Sequence, residues 1–245
     1  MATRTRRSQR RTEALSRERI VEAAVELLDA TGEGGLTFRA LTERLATGPG
    51  AIYWHVANKD ELLDAATGAV VTAALATEPA EPPDSPQDRI RAVAFGLFDA
   101  IEDHPWLSTQ LALQLSRNPW GSVTPGIFES IGQQVRALGV PEDSWFTATS
   151  ALVHYILGAA RQNAANTASA RTLAPGVDRA EFLDAASRAW QELDPDDYPF
   201  IRAVAAQMRE HDDREQFLAG IDLVLTGITA LHLPGEQGRT SRPAT

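Results

Sequence analysis

The 245-residue sequence contains no cysteine, and this absence excludes disulfides, thiolate metal sites and thiol nucleophiles. It also has no apolar run near the roughly 20 residues that a membrane-spanning helix needs. The first 19 residues are rich in arginine and serine but lack the apolar core of a secretory signal. We therefore expect a cytoplasmic protein with no membrane partner.

Signatures of an enzyme are missing as well. The sequence has no P-loop, no dinucleotide-binding fingerprint and no nucleophile elbow. Its five histidines, at positions 55, 104, 154, 211 and 232, lack the close spacing of metal ligands. The acidic segment 194–197 is typical of a solvated loop rather than a metal site. We predict a protein that is not an enzyme and needs no cofactor or metal ion.

Charge is distributed unevenly along the chain. The formal net charge is −10, yet residues 1–63 carry ten arginines and lysines against nine acidic residues. Seven of these ten lie within residues 1–19, beside only two acidic residues. A basic start can bind a polyanion such as DNA, but it is equally typical of a solvated tail. We predict that residues 1–16 form a disordered basic arm.

Apolar spacing in the first third of the chain predicts three short helices and a longer fourth. The predicted helices cover residues 17–30, 38–45 and 49–55, with the fourth starting at Lys59. Thr37 and Asn58 are suitable N-caps, and Pro49 suits a first helical turn. Short helices joined by tight turns are typical of a helix-turn-helix DNA-binding domain. We assign residues 17–63 to this domain.

The rest of the sequence indicates a second, larger helical domain over residues 64–233. Four prolines within residues 77–87 indicate an exposed connection between the two domains. Helical periodicity then covers residues 88–102, 107–115, 126–138, 143–165, 179–192 and 214–231. Apart from its one short helix, segment 166–199 is predicted to be a loop, and residues 234–245 a disordered tail. No alternating strand pattern is present, so the predicted fold class is all-α.

The third helix has the composition of a helix that enters the major groove of DNA. Small residues at 49–51 allow its backbone to approach base edges. Three aromatics with polar tips follow, Tyr53, Trp54 and His55, whose OH and NH groups can reach phosphate oxygens. Lys59 begins the next helix, where its ammonium and free backbone N–H groups can share one phosphate. The same pattern also fits a small helical scaffold with surface aromatics.

These residues resemble a known family. The strings "IVEAAVELLDATGEGGLTFRALTERLA" and "IYWHVANKDELLDA", within residues 20–63, are similar to the DNA-binding domain of TetR-type bacterial regulators. Beyond them the likeness is looser, in helix order and in "HYILG" at 154–158. The resemblance implies an all-helical homodimer on a palindromic double-stranded DNA operator. Its larger domain would bind a ligand, and ligand binding would change the spacing of the two recognition helices.

Position by position, the resemblance assigns DNA contacts. Base-edge contacts fall on Arg39 and on residues 49–51, and phosphate contacts fall on Thr37, Tyr53, His55 and Lys59. Ala46 stands where the turn of this family usually has glycine, and Gly48 stands where a polar cap is common. The predicted DNA-binding set is Thr37, Arg39, Thr47, Gly48, Pro49, Gly50, Ala51, Tyr53, Trp54, His55 and Lys59.

The resemblance places an effector site between the helices of the larger domain. Its aromatic and polar residues suit a small, bulky, largely apolar molecule, although each could equally fill the core. His104 and Gln114 are the best polar candidates. The predicted ligand-binding set is Phe95, Phe98, His104, Trp106, Leu111, Gln114, Trp120, Phe128, Trp145, Phe146, His154 and Tyr155.

Helices 143–165 and 214–231 are the predicted dimer interface. Gly158, Gly220 and Gly227 would allow close approach, and two helices from each subunit make a four-helix bundle. The sequence therefore predicts a ligand-responsive transcriptional regulator, most simply a repressor released by its effector. The alternative is a helical small-molecule-binding or interaction module with weak or lost DNA binding, which the glycine at position 48 favours.

Overall fold

A computed structural model describes residues 15–77, 83–170 and 178–232, and every regular element within them is helical. The chain divides into two compact units, Met1–Val70 and Val71–Thr245. The predicted all-α class is confirmed. No helix in the described ranges is long and apolar enough to cross a membrane. The predicted basic arm, apart from residues 15 and 16, and the predicted tail 234–245 lie outside these ranges.

Three of the four described helices of the first unit begin at a side-chain cap. Ser16, Thr37 and Asn58 each accept a hydrogen bond from the backbone N–H three residues further on. Each cap satisfies an N–H group that the helix itself leaves unpaired. The helices are α1 Arg17–Gly35, α2 Phe38–Leu45, α3 Pro49–Tyr53 and α4 Lys59–Ala76, the last of which continues into the second unit.

Two boundaries in the first unit differ from the prediction. The chain leaves helical geometry at Gly32, where φ is 65°, but a further turn carries α1 to Gly35. Helix α1 is therefore kinked at Gly32 and ends five residues beyond the predicted end at residue 30. The third helix ends at Tyr53, two residues earlier than predicted, while α2 has the predicted bounds. After α2 the chain turns through Ala46 in the left-handed region, at φ 47°.

The second unit is built from seven helices in its described part. Helices α5, α7, α8 and α11 pack together around a core that includes Leu97, Ile131, Leu152 and Ile221. The helices α9 and α10 pack on a 3-10 turn at Ala205–Met208. The helices after α4 are α5 Pro86–Asp103, α6 Leu107–Arg117, α7 Val123–Ala137, α8 Trp145–Ala170, α9 Arg179–Gln191, α10 Pro199–Val204 and α11 Asp213–His232.

Predictions for the second unit miss three features. Helix α8 starts at Trp145, after a 3-10 turn at Glu142–Ser144, and continues to Ala170, so part of the predicted 166–199 loop is helical. Helix α7 begins three residues before its predicted start. The short helix α10 lies where no helix is predicted. Its first residue is Pro199, whose fixed φ favours a first helical turn, but six residues are too few to show periodicity.

Candidate DNA-binding surface and ligand-binding region

One side of α3 is anchored and the other is open. Ile52 and Val56 are fully buried, and they fix the helix to the core of the first unit. On the open side, Tyr53 is 52% exposed and Trp54 is 87% exposed. No described atom lies within 4 Å of the position that a Cβ would occupy at Gly50. The tip of α3 can therefore approach another surface closely, with its aromatic polar groups beside it.

Tyr53 is held by an aromatic partner that the sequence prediction omits. Its ring stacks on Phe38 of α2, with centroids 4.4 Å apart and planes 15° from parallel. This stack fixes the direction of the Tyr53 ring while leaving the side chain half exposed. The signal available in the sequence was an aromatic residue directly after Thr37, the N-cap of α2.

The predicted contacts at the start of α2 have defined local partners. The hydroxyl oxygen of Thr37 accepts the backbone N–H of Ala40 at 3.1 Å, and its own proton remains available to an acceptor. The Nε of Arg39 donates to Glu43 Oε1 at 2.9 Å. Since the Arg39 side chain is 87% exposed, the outer edge of its guanidinium points to solvent. That edge has the two donors that a guanine can accept.

Lys59 joins the first and fourth helices of the unit. Its Nζ donates to the backbone oxygen of Glu33, near the end of α1, at 2.6 Å. An ammonium has three donors, so this hydrogen bond leaves capacity for a phosphate. Lys59 is half-buried, as is His55 in the preceding turn. The fold therefore holds the Lys59 side chain against the end of α1.

Glu61 closes the turn that leads into α4. Its Oε2 accepts the backbone N–H of Ala57 at 2.9 Å, while its own N–H donates to Asn58 Oδ1 at 2.8 Å. The pair resembles a capping box, except that Glu61 accepts the N–H of Ala57, the residue before the N-cap Asn58. The Ala57 hydrogen bond, assisted by the Arg17 guanidinium at 3.4 Å, lowers the pKa of the Glu61 carboxyl. The turn between α3 and α4 is thus fixed by a charged acceptor.

The predicted ligand residues form separate groups within the second unit. Phe95, Phe98 and Tyr155 surround Phe217 of α11, with ring centroids 4.6 to 6.0 Å from it. The guanidinium of Arg214 lies 4.5 Å from the centroid of Phe95. This group joins α5, α8 and α11. Its aromatic rings contact one another, so they contribute to the core of the unit.

A second group lies around α7 and the start of α8. Phe128 stacks on Phe146 with centroids 6.0 Å apart. Phe146 is largely exposed, as is Trp120, which precedes α7. The indole N–H of Trp145 donates to the backbone oxygen of Val140 at 2.6 Å. His154 is also exposed, although it is only one residue from Tyr155. The structure does not bring these side chains into the Phe217 group.

Helix α6 contains the third group. Gln114 is 4% exposed and lies beside the buried Leu111, and Asn118 Nδ2 donates to Gln114 Oε1 at 3.4 Å. Gln110, which the prediction omits, is also 4% exposed and lies one turn earlier on the same face. The i, i+4 spacing of two glutamines on an apolar face was the signal for it. Buried amides of this kind can orient a ligand inside an otherwise apolar region.

His104 and Trp106 lie where α5 turns into α6. Their ring centroids are 6.0 Å apart, and the Trp106 side chain is buried. They therefore lie at the beginning of the helix that carries the two glutamines.

No cluster of three or more histidine or acidic residues that could hold a metal ion occurs within the described ranges.

Comparison with known proteins decides the family. Residues 20–66 match the model of bacterial regulatory proteins of the tetR family, and residues 78–232 match the tetracyclin repressor-like C-terminal domain. The second match alone covers more than half of the chain. The chain belongs to the TetR family. This result confirms the sequence resemblance and makes the protein a transcriptional regulator of that family.

Relatives of this TetR-family chain include one solved structure and two curated proteins that are named as transcriptional regulators or repressors. The solved structure of the transcriptional regulator SCO7222, a TetR from Streptomyces coelicolor, is 72% identical, with a TM-score of 0.80 over 89% of this chain and 99% of that one. An HTH-type transcriptional regulator of Saccharopolyspora erythraea is 34% identical over 59% of both chains. The HTH-type transcriptional repressor DrrR1 of Streptomyces coeruleorubidus is 28% identical over 89% of this chain and 78% of its own length.

In this TetR-family chain, Tyr155 fixes α8 to α11. Its hydroxyl donates to the backbone oxygen of Phe217 at 3.0 Å, and burial raises the pKa of the phenol. The ring fits because residue 220 is glycine, since a Cβ there would stand 1.8 Å from the Tyr155 Oη. Gly220 therefore serves a contact inside the chain.

The other two glycines of the predicted dimer interface lie on open surface. No described atom lies within 4 Å of a Cβ position at Gly158 or Gly227. Leu223 and Leu231 of α11 are largely exposed. The exposed face of α11 is thus apolar, and it has small residues at the places where a second helix could approach.

Proposed function

We propose that this protein is a ligand-responsive repressor that binds a palindromic operator as a homodimer. The observation that carries the proposal is the geometry of α3. Ile52 and Val56 bury one side, while an open tip and the stacked Tyr53 form the other. A helix with one anchored side and one open side is the element that helix-turn-helix proteins insert into the major groove. The name of the relative DrrR1 supports repression as the outcome.

Arg39 is the proposed base-reading residue. With Nε engaged by Glu43, its outer edge can donate to the O6 and N7 atoms of a guanine. The tip residues 49–51 contribute close backbone approach and methyl contacts, so sequence-dependent DNA shape carries the rest of the specificity. The proposed phosphate contacts are Thr37, Tyr53, His55 and Lys59, with Thr47, Gly48 and Trp54 beside them.

Effector release is the second part of the proposal. A small, bulky, largely apolar molecule would bind near the buried face of α6, where Gln110 and Gln114 supply polar contacts. To shift the DNA-binding state by a hundredfold, the effector must prefer the other state by about 2.7 kcal/mol. We assign no catalytic role to any residue. A regulator of chromosomal DNA acts in the cytoplasm.

The operator experiment uses the full-length protein and sheared DNA of its source genome at near-physiological salt. Sequencing of the retained DNA should show one or a few palindromes. Fluorescence anisotropy on such a palindrome then gives the affinity at several salt concentrations. The affinity should fall steeply as salt is added, because binding neutralises several phosphates. Uniform retention that disappears with added salt would contradict the repressor and favour a ligand-binding module with lost DNA binding.

A matched pair of tyrosine variants tests the surface itself. Tyr53→Phe removes one proposed phosphate contact, so we expect operator affinity to fall about tenfold. Tyr198→Phe removes a hydroxyl of similar exposure in the second unit and should leave operator affinity unchanged. Equal affinities for all three proteins would show that the Tyr53 hydroxyl does not contact DNA.

The dimer is tested by light scattering and sedimentation. Leu223→Glu places a charge on the exposed apolar face of α11, and we expect the dimer to dissociate at micromolar concentration. Leu113→Glu changes a partly buried leucine of α6, outside the proposed interface, and serves as the control for general effects of the charge. A wild-type monomer at the same concentration would refute the interface.

A further inference from the structure

A cavity of about 530 Å³ lies at the end of α8, between α9 and the start of α11. Its volume is within the range of small-molecule sites in proteins. None of the twelve predicted effector residues is among the described residues that line it. The cavity is therefore a separate place in the second unit, and nothing in the proposed repressor mechanism uses it.

One side of the cavity is aromatic and apolar. Phe182 and Trp190 of α9 line it together with Met208 of the 3-10 turn. Phe182 is 48% exposed, so it presents an uncovered aromatic surface at this cavity. Aromatic rings and a thioether favour a flat aromatic ring as their partner. This side selects for a planar apolar group.

The other side consists of hydrogen-bond donors. Arg179, Asn166 and His211 line the cavity, and all three contact the carboxylate of Asp213. Asn166 Nδ2 donates to Asp213 Oδ1 at 2.9 Å, and His211 Nε2 lies 3.0 Å from the same oxygen. Arg179 pairs with the second oxygen, Oδ2. The acceptors of Asp213 are thus already occupied.

Arg179 retains donors beyond this pair. A guanidinium carries five N–H donors in a planar fork, and only its Nη2 contacts Asp213. Arg179 and His211 also line an adjoining cavity of about 360 Å³, so the cluster stands between two open spaces. The N–H donors that Arg179 does not use on Asp213 favour an anionic ligand group over an ammonium. A carboxylate matches the fork of an arginine.

We propose that this cavity binds a planar aromatic carboxylate, with its ring against Phe182 and Trp190 and its carboxylate on Arg179. Within the cluster the ligand competes with Asp213 for the same guanidinium. The site shares no described lining residue with the proposed DNA-binding set or with the effector region at α6. It requires only the described residues of α8, α9, α11 and the turn that precedes α11.

Calorimetric titration of the full-length protein with 2-naphthoate tests the site directly. The uncharged 2-naphthamide has the same ring and serves as the matched ligand. We expect naphthoate to bind at one site per chain and the amide to bind at least about tenfold more weakly. Absence of naphthoate binding, or equal affinity for the acid and the amide, would overturn the proposal.

Variants then locate the binding. Arg179→Gln should weaken naphthoate binding about tenfold or more and abolish the preference for the acid. Arg188→Gln is the matched control, because Arg188 also lies on α9 and pairs with an aspartate, Asp184. It should bind naphthoate like the wild type. Trp190→Ala should weaken acid and amide equally, since it removes the wall that contacts the ring.

The decisive variant is Asp213→Asn. It removes the negative charge that competes with the ligand for Arg179. The variant should therefore bind naphthoate several-fold more tightly than the wild type does. A purely structural role of the Asp213 cluster would weaken binding. Far-UV circular dichroism and thermal unfolding establish that each variant is folded, and Arg179→Lys tests the charge if Arg179→Gln unfolds. Binding that depends on Gln114 and not on Arg179 would place the ligand at α6 and refute this site.

Discussion

The two units differ in how their candidate sites are distributed along the sequence. In the first unit, the predicted DNA-binding residues lie within one stretch, from Thr37 to Lys59, on α2, α3, the turns beside them and the first residue of α4. In the second unit, the predicted ligand residues extend from Phe95 to Tyr155, over four helices. A local motif fixes the relative positions of neighbouring side chains. Residues on separate helices meet only if each helix presents the right face.

This difference appears in the structure. The first unit places Tyr53 and Trp54 on one open surface, as expected from a short helix with a known buried side. The second unit separates its predicted set into the Phe217 group, the α7–α8 group and α6. Phe146 and Trp120 lie on the outside. Amphipathic spacing identifies apolar residues, but it does not distinguish a core residue from an exposed aromatic.

The largest predicted effect is a loss of stability in the second unit when the contact between Tyr155 of α8 and Gly220 of α11 is disturbed. Gly220→Ala places a Cβ 1.8 Å from Tyr155 Oη and 2.2 Å from Cζ, so the ring must leave its place. The hydrogen bond to Phe217 and the packing of the ring would be lost. We expect the free energy of unfolding of the second unit to fall by about 2 kcal/mol. Urea unfolding followed by far-UV circular dichroism measures this change.

Gly126→Ala is the control for the same substitution. At Gly126, on α7, a Cβ would meet only Leu75 Cδ1, at an ordinary 3.7 Å. We expect the stability to be unchanged or slightly increased, because alanine favours a helix. If Gly220→Ala were as mild as Gly126→Ala, the contact between α8 and α11 would not depend on this glycine.

The next effect concerns the short-range stack in the first unit. Phe38→Ala removes the ring that holds Tyr53, at a centroid distance of 4.4 Å. An aromatic pair contributes about 1 kcal/mol, so operator affinity should fall five- to tenfold. Anisotropy titration measures the loss. In a Tyr53→Ala background the same substitution should have little further effect, and a full additional loss would show that Phe38 acts independently.

The sequence predicts most of the fold, because long amphipathic helices carry their own periodic signal. Helix α2 has the predicted bounds, and α11 extends the predicted range by one residue at each end. Helix α10 is missed because it is too short for such a signal. Phe38, Gln110 and the Asp213 cluster are missed because their roles depend on partners distant in sequence or on another helix.

A smaller effect concerns Ala46, the residue after α2. Ala46 has φ 47°, and its N–H donates to the backbone oxygen of Thr42. A left-handed conformation costs a residue with a Cβ roughly 1–2 kcal/mol, which glycine avoids. The greater entropy of glycine in the unfolded chain offsets part of this gain. Ala46→Gly should therefore stabilise the first unit by about 1 kcal/mol.

Thermal unfolding of the variant measures this gain, and Ala40→Gly provides the opposite case. Ala40 lies inside α2, where glycine should destabilise by about 1 kcal/mol. The two single variants, one inside α2 and one directly after it, would then shift the melting temperature in opposite directions. A loss of stability at both positions would show that Ala46 carries no backbone strain.

The smallest predicted effect is a pH dependence that belongs to the first unit. The hydrogen bond from Ala57 N–H, with Arg17 nearby, lowers the pKa of Glu61 below its ordinary value of 4.5. A carboxyl with a lowered folded pKa stabilises the fold fully above its unfolded pKa, and this contribution is lost as the pH falls through the folded value. Glu61→Gln should therefore lower the melting temperature at about pH 6, and the two proteins should converge as the pH falls through the folded pKa of Glu61.

Since Glu61 is exposed, solvent screens its interactions, and the shift should be smaller than that of Ala46→Gly. Glu22→Gln removes another exposed carboxylate from the same unit and isolates the effect of the turn. A difference between wild type and Glu61→Gln that persists in acid would assign the stabilisation to side-chain shape. A difference that disappears would assign it to charge, and would show that the turn presenting α3 and α4 is held by the ionised carboxylate.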